Sequence, residues 1–355
     1  MDRQADRDAE IVGGVDTHKQ THVAAAVDGA GRLLGTAEFP ATSAGYGELL
    51  RWLLGHGGVS RVGVEGTGSY GAGLARYLAR EGILVVEVIR PNRQLRRRRG
   101  KSDPVDAEAA ARAALAKEAE GTPKSADGLV EAMRMIRLAR SSAVKARTQA
   151  ANQIDALVTC APESLRSRLK GLSLVRMAER ARRWHQSDIR DPLSACRATI
   201  ARLARRWSRL GAEIKHYDQQ LKRLTEQVCP QLLARLGVGP EVASCLLVAA
   251  GDNPERLCSE ASFAAMCGVS PLDASSGQQR RHRLNRGGNR DANRALWIIA
   301  MTRLRVDART KTYAARRTKE GRTRREILRC LKRYIAREVY ALLLATTDAA
   351  ALDKT

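Results

Sequence analysis

IVGGVDTHKQTHVAAAVDGAGRLLGTAEFP, residues 11–40, breaks into the apolar runs IVGGVD (11–16), THVAAAVD (21–28) and RLLGTAEF (32–39). Turn-forming residues separate them, with DGAG (28–31) between the second and third, so three consecutive β-strands are predicted. Such short connections permit an antiparallel meander. Outward from it, SAGYGELLRWLLGHG (43–57) places Tyr46, Leu49, Leu50, Leu53 and Leu54 on one helical face. RVGVE (61–65) reads as a fourth strand, GAGLARYLARE (71–81) as a helix and ILVVEVI (83–89) as a fifth strand. The later strands need crossovers, which makes a mixed sheet covered by helices.

That element order is the ribonuclease H-like pattern, and several other α/β folds share it. A basic run follows, NRQLRRRRGK (92–101), and then a helix, DPVDAEAAARAALAKEAE, entered through Pro104. The character changes from about residue 126. Leu129, Met133, Ile136, Ala143, Ala150, Ile154 and Leu157 follow a 3-4 spacing, interrupted by Arg140 and Arg147. Ile200, Leu203, Trp207, Leu210, Ile214, Tyr217, Leu221, Leu224 and Val228 follow it without a break, as in a coiled coil. The pattern does not say whether the partner helix lies in the same chain. Three segments result: an α/β domain (1–125), a helical coiled-coil stalk (126–228) and a mainly α C-terminal domain (229–355).

Composition narrows the function. The chain has 355 residues with 62 Lys+Arg against 38 Asp+Glu, a formal net charge of +24, and 50 of the cations are Arg. An excess of guanidinium forks implies a polyanionic partner, with nucleic-acid phosphate the obvious one. A hydrophobic content of 44% excludes wholesale disorder. MDRQADRDAE has no apolar core for a signal peptide, and no apolar run approaches the ~18 residues of a membrane span. Seven scattered cysteines with no CxxC pair read as reduced, mostly buried thiols. A cytosolic protein is expected.

Four carboxylates stand out. Asp16 ends the first strand and Glu65 the fourth, just before Gly66-Thr67-Gly68. Asp103 and Asp106, three apart at a helix start, share one face with their Cβ atoms about 5–6 Å apart. If the first and fourth strands are neighbours, a helix lying over their ends gathers all four acids. Such a cluster needs a cation, and hard oxygen ligands favour Mg²⁺ or Mn²⁺. Two ions about 4 Å apart can stabilise both oxygens of a phosphoryl displacement. Arg96, Arg97, Arg98, Arg99 and Lys101 then hold the anionic strand. Singly, each acid also reads as a turn residue or, for Asp103, a helix N-cap. The histidines, His18 and His22 among them, fit no helical HExxH arrangement, so no histidine-based metal site is expected.

In LLARLGVGPEVASCLLVAAG (232–251), Gly237 and Gly239 lie between two apolar segments, as in a helix-hairpin-helix whose second helix can face a phosphate. An ordinary packed hairpin reads the same way. Helices are predicted near 259–267, 291–306 and 322–345. Between the first two, Ser275-Ser276-Gly277 is surrounded by Arg280, Arg281, Arg283, Arg286, Arg290 and Arg294. This is turn chemistry, or a phosphate-binding loop with a nucleophilic serine.

VDTHKQTH (15–22), VEGTGSYG (64–71), GKSDPVDAEAAA (100–111), the GVG hairpin, GVSPLDASSG (268–277) and NRGGNRDANRAL (285–296) occur in this order. Together they resemble the bridge-RNA-guided insertion-sequence transposases with a RuvC-like DEDD domain, relatives of the Piv-type DNA invertases. The resemblance implies that Asp16, Glu65, Asp103 and Asp106 bind Mg²⁺ and that Ser276 is the nucleophile, with Ser275 its nearest rival. It also implies a dimer of dimers in which the acids of one subunit face the serine of another. The resemblance further implies an element-encoded RNA that pairs with donor and target DNA, and a place in the bacterial cytoplasm at the nucleoid. Two other classes remain: a RuvC-like junction nuclease in which the serine is structural, and a non-catalytic nucleic-acid scaffold. The scaffold gains nothing from clustering anions beside phosphates.

Overall fold

The computed structural model describes residues 10–88, 102–117, 121–184, 188–277 and 282–352. They fall into two compact units: Met1–Gly128 with Ala250–Phe263 and Thr347–Thr355, and Leu129–Ala249 with Ala264–Thr346. The basic run Arg96–Arg99 with Lys101, and Arg280 and Arg281, lie outside the described residues.

The first unit opens with β1 (Glu10–Thr17), β2 (Thr21–Asp28) and β3 (Leu33–Pro40). Then come α1 (Ser43–Leu54), β4 (Gly58–Glu65), α2 (Ala72–Arg80), β5 (Val85–Val88) and α3 (Asp103–Leu115). The sheet order is β3-β2-β1-β4-β5. β1–β2 and β2–β3 pair antiparallel, as the short turns dictate, while β1–β4 and β4–β5 pair parallel. This is the mixed α/β sheet that the element order predicts.

Side chains alternate across a strand, so each face has its own helix. Ile11, Val15, Val62 and Val64 pack with Leu49 and Leu53 of α1 and Leu74 and Leu78 of α2. Val12 and Val27 meet Ala111 and Ala114 of α3 on the other face, and Val23 and Ala25 meet Ala107. Gly14 and Gly63 are partners in the β1–β4 register and lie under α3. A Cβ on Gly14 would stand 2.1 Å from the Ala111 nitrogen, and one on Gly63 would stand 2.6 Å from the Ala110 carbonyl oxygen. Two glycines facing a helix of alanines thus let backbone approach backbone, which neither partner allows with larger side chains.

The second unit is helical. Its long members are α4 (Leu129–Thr159) and, after the short α5 (Glu163–Leu169) and α6 (Leu174–Ala181), α7 (Pro192–Val228). A capping box formed by Asp191 and Ser194 starts α7. The two helices pair with each other inside the chain and run antiparallel. Arg140 bonds Asp218 at 2.7 Å, the Arg147 guanidinium lies 4.1 Å from the centre of the Trp207 ring, and the Cys196 thiol is 3.8 Å from the Leu157 carbonyl oxygen. The two arginines that break the apolar spacing of α4 therefore face an acid and an indole. Ile154, Leu165, Leu169, Met177 and Ile200 close the end of the pair.

Next come α8 (Pro230–Leu233), α9 (Pro240–Ala250) and α10 (Glu260–Met266), then β6 (Leu272–Asp273) and β7 (His282–Arg283). Helices α11 (Arg290–Val306), α12 (Ala308–Lys319) and α13 (Arg324–Leu352) end the described chain. The segment predicted as the first helix of a helix-hairpin-helix is a single turn, α8, between the end of α7 and Gly237. No helix among the described residues is long and apolar enough to cross a membrane. All seven cysteines are free, but only Cys229, Cys245 and Cys267 are buried, so the expectation of mostly buried thiols is corrected. Burial pushes Cys245 up to about 11 and Cys267 up to about 12, which keeps both as inert thiols.

Candidate functional site at the strand ends

Val15 pairs with Val64 in the parallel β1–β4 ladder, so the next residues, Asp16 and Glu65, stand at neighbouring strand ends. Alternation puts Asp16 on the face of Gly14 and Glu65 on that of Gly63, and both faces are covered by α3. The Thr17 hydroxyl donates to the Glu65 carbonyl oxygen at 2.8 Å and ties the two ends together. Gly66, at φ 68°, turns the chain sharply away.

Helix α3 runs against β1 so that Ala107 and Ala111 sit over Gly14, which leaves its first turn above the strand ends. Its N-cap is Ser102, so Asp103 is the first helical residue and is not used as the cap. Asp103 and Asp106 both lie in that first turn, where the amide dipoles favour carboxylates. Asp16 is 8% exposed and Asp106 2%, whereas the Asp103 side chain is half exposed.

Asp16, Asp103 and His18 each offer a ligand atom, and these atoms lie within 4.8 Å of one another. His18 bridges the two acids: Nδ1 is 3.8 Å from Asp16 and Nε2 is 3.9 Å from Asp103, too long for hydrogen bonds. Glu65 stands on the adjacent strand end and Asp106 three residues along α3 from Asp103, but neither belongs to the group whose ligand atoms lie within 4.8 Å. Two carboxylates converging with an imidazole suit a divalent ion. The oxygens favour Mg²⁺, and a nitrogen donor shifts the preference toward Mn²⁺. Sequence reasoning missed His18 because it searched for histidines on a helix. The usable signal was its place two residues beyond Asp16, on the turn leaving the same strand.

In the second unit, β6 and β7 form a small antiparallel ladder, pairing Leu272 with Arg283 and Asp273 with His282, so the loop predicted between helices is a hairpin. Ser275 and Ser276 follow Asp273 at the end of the β6 side. The Ser275 amide donates to Asp273 Oδ1 at 3.0 Å and its hydroxyl donates to the same oxygen. These bonds hold the Asp273 carboxyl below the usual carboxylate range. Ser276 is exposed, and among the described residues its hydroxyl has no such partner. Arg283, Arg286, Arg290 and Arg294 are exposed around the hairpin and its exit, with Arg294 paired to Glu241 at 3.3 Å. Gly237, at φ 87°, is packed against α11, where a Cβ would meet Thr302 and Ile299 at 3.2–3.3 Å. Gly239 faces open space at the start of α9.

A mixed sheet of this order, with acids at the ends of two adjacent parallel strands and a helix start above them, is consistent with an α/β domain of the ribonuclease H-like, DEDD type. Residues 13–161 match the DEDD transposase family model of IS110 elements, and residues 229–315 match that of the transposase IS116/IS110/IS902 family. Two successive stretches of the chain are thus similar to IS110-type transposase domains. It is 31% identical over 129 residues to an uncharacterised 43.6 kDa protein of insertion element IS110 from Streptomyces coelicolor, covering 36% of this chain and 32% of that protein. It is also 29% identical over 228 residues to the transposase-like protein y4pF/y4sB of Sinorhizobium fredii, covering 60% of this chain and 53% of that one. The matches span from about a third to about half the length of these curated relatives.

Proposed function

We propose that this chain is an RNA-guided, Mg²⁺-dependent recombinase of an insertion sequence, which cuts and rejoins donor and target DNA through a serine ester at Ser276. The observation that carries the reading is the convergence of Asp16 and Asp103, from a strand end and a helix start, in a chain with two stretches similar to transposase domains. Asp16, Glu65, Asp103 and Asp106 hold the cations, with His18 beside them. Held by these residues, Mg²⁺ or Mn²⁺ would supply electrostatic stabilisation of the charge that develops on a phosphate during displacement.

The Ser276 Oγ forms a bond to a DNA phosphorus while the bond from that phosphorus to the departing strand breaks. The hydroxyl proton is lost to solvent or a base, and the departing oxygen gains one. The ester conserves the phosphodiester energy, so the reverse step joins a different strand without ATP. Support for Ser276 over Ser275 comes from the Asp273 contacts, which engage the Ser275 hydroxyl in the turn. The arginines from 280 to 294, with Arg96–Arg99 and Lys101, grip phosphates.

Arg-rich, aromatic-poor composition (4% Phe, Trp and Tyr) supports delegating sequence choice to a guide RNA, since the protein then reads only backbone and duplex shape. The working assembly is a dimer of dimers on donor and target duplexes. The test supplies the flanking non-coding RNA, end-labelled donor and target duplexes and Mg²⁺, and looks for a covalent protein–DNA adduct on denaturing gels. The adduct is expected with the wild type and with Ser275→Ala, and is expected to vanish in Ser276→Ala and Asp16→Ala. Metal-dependent free ends that persist in Ser276→Ala would make the protein a hydrolytic nuclease instead.

A further inference from the structure

Among the described residues, Lys332 on α13 is a buried cation with no carboxylate partner. It is 7% exposed, and among the described residues its one hydrogen bond is donated from Nζ to Asn293 Oδ1 at 2.8 Å. Burial, reinforced by the nearby Arg329 charge, pushes its pKa below the usual lysine range. Placing an unpaired ammonium here is costly, and its geometry shows what it does.

Asn293, on α11, relays the contact. With Oδ1 held by a donor, its amide can face only one way, and Nδ2 donates to the carbonyl oxygens of Cys267 at 2.9 Å and Gly268 at 3.1 Å. A flipped amide would set its oxygen against those two carbonyls. Gly268, at φ 66°, is where the chain enters the serine hairpin. The exit is bound at the same place. A Cβ on Gly288 would stand 2.2 Å from the Gly268 nitrogen, the Asn289 amide donates to the Met266 carbonyl at 2.6 Å, and Asn285 Nδ2 donates to that of Ala265 at 3.3 Å. Both feet of residues 268–288 are therefore clamped at one point, and the β6–β7 ladder carries that constraint toward Ser276.

We propose that Lys332 and Asn293 are positioning residues for Ser276, the lysine locking the asparagine amide that fastens the foot of the serine hairpin. The proposal rests on the reading of Ser276 as nucleophile. The full-length chain tests it with two variants. Lys332→Met keeps the aliphatic stem and removes the donor. Asn293→Asp gives Lys332 a carboxylate but removes the NH₂ group that holds Cys267 and Gly268, so it loosens the hairpin without leaving the lysine unpaired.

Amide hydrogen exchange across 268–288, read without DNA, is expected to quicken about tenfold in both variants. At saturating DNA the adduct is expected to form about tenfold or more slowly, with Kd for the same duplex changed by less than about twofold. The Tm of Asn293→Asp is expected to fall by a few degrees, because a carboxylate oxygen replaces the donor facing two carbonyls, so exchange and adduct rates are read well below the lower midpoint. Unchanged exchange in either variant overturns the clamp, and faster exchange with an unchanged adduct rate overturns its bearing on Ser276. If the wild type forms no adduct, the serine reading itself has failed, and the exchange measurement alone decides whether the lysine and asparagine fasten the hairpin.

Discussion

Gly14→Ala drives a methyl group into the backbone of α3. The added carbon would stand 2.1 Å from the Ala111 nitrogen and 2.3 Å from the Ala107 carbonyl oxygen, about 1.3 Å inside the 3.4 Å at which ordinary contact begins. Both neighbours are main-chain atoms, so no rotamer change relieves the clash, and α3 must retreat from the sheet. Overpacking of this kind costs about 1–3 kcal/mol. For a unit of this size that lowers Tm by about 2–12 °C. The larger consequence is for chemistry, because α3 carries Asp103 and Asp106 while Asp16 and Glu65 stay on the strands. A displacement of about 1 Å in a reacting constellation costs about 10²-fold in rate. Adduct formation with Mg²⁺, measured well below the lowered Tm, is therefore expected to slow by about that factor while the circular dichroism spectrum is kept. Gly63→Ala, whose Cβ would meet the Ala110 oxygen at 2.6 Å, is expected to act alike, and Gly29→Ala, with nothing within 4 Å, to be silent. A Gly14→Ala protein with wild-type rate and Tm would refute the placement of α3 over the strand ends.

Three other perturbations probe separate parts of the molecule. Burial pushes His22 below its usual 6.5, against the opposing pull of the Thr21 carbonyl, and its Nε2 has no hydrogen-bond partner among the described residues. The folded state therefore refuses a proton that the unfolded chain accepts. Its contribution to stability is full above pH 6.5 and is lost as the pH falls toward the depressed value, so His22→Gln should flatten the acid limb of urea midpoints measured from pH 7.5 to 5.5. Arg147→Ala removes the guanidinium from the Trp207 ring and is expected to cost about 1–2 kcal/mol in urea unfolding, an effect that should nearly vanish in a Trp207→Leu background. His18→Ala is expected to weaken Mn²⁺ binding, followed by electron paramagnetic resonance, by about tenfold, and Mg²⁺ binding by less; equal losses for both ions would mean that the imidazole is not a ligand.

The apolar runs of residues 11–40 and the turns between them settle three strands without any tertiary information, because a two-residue alternation and a short turn leave the backbone little choice. The helices follow from the same local logic, and the i, i+3 placement of Asp103 and Asp106 follows from helical geometry alone. What pairs with β1 on its second edge does not. The parallel partnership with β4 joins residues about 50 apart, and it alone makes Asp16 and Glu65 neighbours. Gly14 and Gly63 look like flexible points in the sequence, yet their role is to admit α3, a close approach that exists only once the sheet is assembled. His18 joins the acids for the same reason. Arg140 and Arg147 look like faults in an apolar stripe until α7 brings Asp218 and Trp207 to meet them. Local chemistry also could not separate Ser275 from Ser276; the turn at Asp273, folded back by the β6–β7 ladder, engages one hydroxyl and leaves the other exposed. Residue types and local periodicity thus determined the elements and the candidate chemistry, while contacts distant in sequence decided which of those residues share a site, since only a closed chain can bring them within a few ångströms.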